Sequence, residues 1–91
     1  MTATVRLPRM LSETVQSDLT HDVVGATVEE ALTDLFAKVP GLRHHIRDET
    51  GAIRPHVSVF VDGIQADNGT PLREGSEIRV LHAVSGGSPP G

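Results

Sequence analysis

The chain has 91 residues, 37% of them apolar and 22% charged, enough for one modest core and too few for a catalytic domain beside a substrate domain. It contains no cysteine, which excludes disulfides, a thiolate nucleophile and cysteine-ligated metal. Twelve acidic against eight basic residues give a formal charge of -4, and Phe36 and Phe60 are the only Phe, Tyr or Trp rings, so there is neither a basic stripe nor a stacking platform for nucleic acid.

The opening run from Met1 to Pro8 lacks the apolar length of a signal peptide. No segment reaches the roughly 20 apolar residues that cross a bilayer. A cytoplasmic protein with no membrane partner is expected. Thr4 to Pro8 alternates, with Val5 and Leu7 on one face, and Leu19 to Val24 is a second extended candidate; together they predict an opening hairpin. Thr27-Val28-Glu29-Glu30 is a capping box, in which the Thr27 hydroxyl and the Glu30 carboxylate take up orphan amides of a helix start.

From there Val28, Ala31, Leu32, Leu35, Phe36 and Val39 trace one apolar stripe along a helix, which Pro40-Gly41 ends. Glu29 and Glu30 in the first turn and Lys38 in the last suit the helix dipole, and these charges read as a solvated face. Arg43 to Arg54 is a polar stretch. His56-Val57-Ser58-Val59-Phe60-Val61 is rich in β-branched residues and stops at Asp62-Gly63, a tight-turn signal leading into Ile64. The final strand candidate, Glu77 to Val84, follows Glu74-Gly75-Ser76 and runs into Ser85-Gly86-Gly87. One helix across a small mixed sheet is the α+β plan of a ubiquitin-like β-grasp, with residues 1–85 as the domain. Residues 86–91 then form a flexible tail: the diglycine followed by Ser88-Pro89-Pro90-Gly91.

Such a tail has two readings. Gly, Ser and Pro are the ordinary composition of a frayed terminus. A diglycine is also a chemical handle, because two residues without Cβ let the backbone enter a narrow active site where any side chain would collide. The handle needs a free carboxylate, which Gly87 lacks while Ser88 follows it.

Other chemistry is weakly signalled. Of His21, His44, His45, His56 and His82, no two have the i, i+4 spacing that places two ligands on one helix face, and no metal site is expected. No GxSxG elbow, P-loop or GxGxxG fingerprint occurs. The chain reads as a substrate or carrier, not an enzyme.

Five segments carry a family resemblance: Val24-Gly25-Ala26-Thr27-Val28, Pro40-Gly41-Leu42, Arg54 to Gly63, Leu72 to Ile78, and Ala83-Val84-Ser85-Gly86-Gly87. In this order they resemble the ThiS/MoaD family of sulfur carriers, in particular the actinobacterial branch that serves cysteine synthesis. The resemblance implies that a ubiquitin-activating-type enzyme adenylates the terminal glycine with ATP and magnesium. The carboxyl then becomes a thiocarboxylate, whose sulfur passes to a sulfur-accepting synthase; no cofactor is bound by the carrier itself.

Mapped here, the reacting carbonyl is that of Gly87, Gly86 passes the channel behind it, and Ser85 and Val84 form the stalk. The family usually ends at the second glycine, so this chain resembles a precursor. The implied cleavage between Gly87 and Ser88 falls to a zinc-dependent protease of the deubiquitinase type, and Pro89 biases Ser88 toward the extended form that suits a protease groove. A chance extension without role is the alternative.

The activating enzyme is expected on the sheet face opposite the helix. Alternation turns Ile78, Val80 and His82 inward and Leu81 outward, with Phe60 beside it on the neighbouring strand. Leu81 and Phe60 are therefore the candidate partner-binding residues. His82 stands where the family often has proline, a change expected to relax the strand end and assigned no chemical role. Two rival functions remain open: a protein modifier joined through Gly87 to a target lysine, and a non-covalent interaction module that never uses its tail.

Overall fold

The architecture follows from three amphipathic strands and one helix that share a single apolar layer. In the computed structural model, which describes residues 1–82, strand β1 (Thr2–Arg6) buries Ala3 and Val5. A short helix α1 (Arg9–Thr14) follows, and strand β2 (Thr20–Val24) pairs antiparallel with β1, Thr2 opposite Val24 and Arg6 opposite Thr20. The expected hairpin is present, but α1 fills its connection. With only Leu11 and Ser12 buried in six residues, α1 is too short to show an apolar period.

Helix α2 (Val28–Lys38) is the element the sequence marks most clearly. Its Val28, Ala31, Leu32, Leu35 and Phe36 are buried, and Val39 is its half-buried C-cap. Thr27 Oγ1 accepts the Glu30 N–H at 3.3 Å. The Glu30 carboxylate reaches back to the N–H of Ala26 at 2.8 Å, one residue before the usual capping-box partner. The N–H groups of Val28 and Glu29 donate to the carbonyls of Thr70 and Asn68, both at 3.0 Å, so a distant loop completes the cap. At the other end Lys38 pairs with Asp34 at 3.1 Å and donates to the Asp22 carbonyl at 2.6 Å. Asp34 also accepts the Val24 N–H at 3.0 Å. That hydrogen bond and Lys38 hold the Asp34 carboxyl below the ordinary carboxylate range.

Pro40 starts a turn of 3-10 helix (Pro40–Leu42) that continues into helix α3 (Arg43–Ile46). The polar reading of residues 43–54 is corrected here: Leu42 and Ile46, four residues apart, are fully buried, and Arg47 is only 8% exposed. Strand β3 (Val57–Val61) buries Val57, Val59 and Val61. Asp62 and Gly63, at φ 50° and 87°, make the tight turn into β4 (Ile64–Ala66), a conformation that glycine adopts without steric cost.

Strand β5 (Ser76–His82) runs parallel to β1 and antiparallel to β3. The sheet order is β2-β1-β5-β3-β4. The last strand in sequence is thus the central one. Alternate residues of β1, β3 and β5 meet α2 and α3 in one core, which Leu7, Leu11, Leu42 and Leu72 close at its margins. This is the ubiquitin-like β-grasp expected from the sequence. No helix among the described residues is long and apolar enough to cross a membrane.

Candidate functional site

β5 decides what the site can be, because it sits between two strands and ends at His82, four residues before Gly86 in the sequence. Its burial alternates: Ser76, Ile78 and Val80 are buried while Glu77, Arg79 and Leu81 are exposed. The inward set meets the helical layer. The outward set lies on the open face of the sheet, as alternation requires.

On that face the ladder brings β3 and β5 residues into pairs. Arg79 stands opposite Phe60 and Leu81 opposite Ser58, so Phe60 and Leu81 are diagonal neighbours within reach of each other. Leu81 is 44% exposed, and Phe60 is half-buried. With Gly63, Glu77 and Arg79 they line a shallow depression of about 330 Å³. Arg79 and Glu77 approach to 3.8 Å, a loose ion pair between exposed side chains that contributes little to stability. The depression offers an apolar floor with one charge of each sign at its margin. Glu77 supplies the one carboxylate among its lining residues and Arg79 the one cation.

Of the residues marked in the sequence, the structure thus places Leu81 and Phe60 on one face. Val84, Ser85, Gly86, Gly87 and Ser88 lie outside the described residues. Among the described residues no three His, Asp or Glu side chains gather as metal ligands.

His82 differs from expectation. The strand is not relaxed there: β5 runs through His82, which pairs with Val57 of β3. Its half-buried ring meets the ring of His56 edge to face, centroids 4.8 Å apart and planes at 84°. Burial, with smaller effects from His56 and His45, pushes the His82 pKa below the ordinary histidine value. The sequence could not reveal this contact, because His56 and His82 are 26 residues apart and only the β3–β5 register joins them.

Solved structures share this fold. SAMP1 from Haloferax volcanii is 28% identical, with a TM-score of 0.85 over 94% of this chain and 99% of that one. The Amycolatopsis orientalis BexX/CysO complex includes a chain 22% identical, with a TM-score of 0.83 over 92% of this chain and 98% of that one. Mycobacterium tuberculosis CysO is 22% identical, with a TM-score of 0.80 over 90% and 99%. At the latter identities the likeness is one of fold. No curated protein matches the sequence. The sequence model of the ThiS family matches residues 5–87, nearly the whole chain, from within β1 onward, and the chain belongs to that family.

Proposed function

We propose that this protein is a sulfur carrier made as a precursor, with Gly87 as its reacting residue. One observation supports this above the others: the family match ends at Gly87, the second glycine of the pair, and leaves Ser88 to Gly91 outside. The active form therefore ends at Gly87 once the Gly87–Ser88 peptide bond is hydrolysed. A zinc-dependent protease of the deubiquitinase type is the proposed agent.

A carboxylate is a poor electrophile until one oxygen becomes part of a leaving group. In the proposed sequence the Gly87 carboxylate attacks the α-phosphorus of ATP and pyrophosphate leaves. Hydrosulfide sulfur then displaces AMP at the carbonyl, giving the thiocarboxylate and a proton. ATP and magnesium belong to the activating enzyme. The chain itself supplies the thin Gly86-Gly87 tip on the Val84-Ser85 stalk and a docking face around Leu81 and Phe60. The CysO chain solved with BexX supports a protein partner for this fold. The sulfur then passes to a synthase making cysteine, a cofactor or a secondary metabolite.

The name of SAMP1, a small archaeal modifier protein, favours a second outcome for the same adenylate, attack by a target lysine amine. Intact mass of the protein isolated from its host without alkylating agents separates the readings. A species ending at Gly87 with one oxygen replaced by sulfur is expected. Isopeptide-linked adducts in its place support the modifier. Retention of Ser88 to Gly91 on every molecule, in cells where the protein is in use, overturns both in favour of a non-covalent module.

A further inference from the structure

The rung that ends β5 has a property the carrier chemistry does not require. His82 is the last residue of the strand and stands opposite Val57. Its Nδ1 is buried and has no hydrogen-bond partner among the described residues, while the His56 ring it touches is exposed. A neutral imidazole tolerates this position, because one ring nitrogen is then only an acceptor. A protonated imidazole donates from both nitrogens, and a buried donor without an acceptor loses its hydration with nothing in return.

The groups whose charge bears on His82 add to the effect. They are His56, from the segment leading into β3, and His45, from α3. Neither brings a negative charge to offset a proton on His82.

We propose that the His82–His56 contact is a proton-operated latch on the last rung of β5, closed while His82 is neutral and opened when its protonated ring turns out to water. Opening releases the strand end from Val57 and carries Leu81 off the docking face. Each residue freed adds about 3.3–3.6 Å to the reach of the segment beyond it. Burial lowers the pKa of folded His82 below its ordinary value of 6.5. The latch therefore adds stability above that value and loses it as pH falls through the folded pKa. The window is the acidic side of neutrality. The latch does not depend on what reacts at Gly87.

Amide hydrogen exchange of the full chain, at about pH 7.5 and about pH 5.5 and corrected for intrinsic rates, tests it. Protection at Ser58 and Leu81, which face each other across the β3–β5 ladder, is expected to fall several-fold at the lower pH. Protection at Phe60 and Arg79, two residues further in on the same ladder, should hold. His82→Phe keeps a ring against His56 and is expected to show no such fall; His82→Leu serves if the larger ring disturbs the fold. Equal protection of the wild type at both pH values overturns the latch. So does the same loss in the variants, or a His82 ring that titrates at or above the ordinary histidine value by NMR.

Discussion

Arg47 shows how one side chain joins two elements that share no strand pairing. Its guanidinium donates to the Glu29 carbonyl at 2.8 Å and to Thr33 Oγ1 at 3.1 Å, and it lies 5.1 Å from the centroid of the Phe36 ring. A planar fork performs all three tasks; an ammonium on a flexible stem does not. Arg47→Lys is therefore expected to lose about 1–3 kcal/mol, read as a lower urea midpoint at unchanged slope. Burial lowers the Arg47 pKa, but arginine remains charged at any pH where the protein is folded, so this loss should not vary with pH. Retention of the wild-type midpoint by the lysine variant would mean that the fork geometry contributes nothing.

At the scale of elements, the junction of β2 with α2 has no room for a side chain at Gly25. A Cβ at Gly25 would stand 2.6 Å from the Ala31 nitrogen and 2.9 Å from the Glu30 carbonyl carbon, and neither backbone atom can move without shifting the helix. Gly25→Ala should cost about 1–3 kcal/mol, as overpacking does, and lower the thermal midpoint; an unchanged midpoint would show that α2 slides freely on β2. The start of this helix was legible because Thr27 and Glu30 announce it and the Val28 to Phe36 stripe continues it. The same reasoning reads β3 and β5 from alternation and their turn from Asp62-Gly63. It misses α1 and α3 because both are shorter than two turns and bury one apolar residue each. Ile46 and Arg47 then look like part of a polar loop, since nothing local shows that α2 will lie over them. That Leu81 and Phe60 share the open face was legible in the same way as the strands, by parity along β3 and β5. The His56–His82 contact was not, because it depends on register across the sheet.

For the whole molecule, the sheet has one face covered by helices and one left open, and the proposed activation uses the difference. Residues on the open face can change without disturbing the core, so a charge there should alter recognition more than stability. Leu81→Asp tests this, because Leu81 is 44% exposed and contributes no buried layer. Its effect on folding is expected to stay within about 0.5 kcal/mol. If Leu81 anchors the activating enzyme, burying a carboxylate there costs about 1–2 kcal/mol or more of binding, a roughly five- to thirtyfold rise in KM for ATP-dependent adenylation of the 1–87 form. Ile64→Asp is the matched control. Ile64 is 74% exposed but stands opposite Val61 at the β4 edge, so its side chain belongs to the other face and adenylation should be unchanged. Equal losses in the two variants would point to a general effect of added negative charge on an already acidic chain. No loss in Leu81→Asp would place the partner's anchor elsewhere. Loss confined to Leu81→Asp assigns the open face to the activating enzyme.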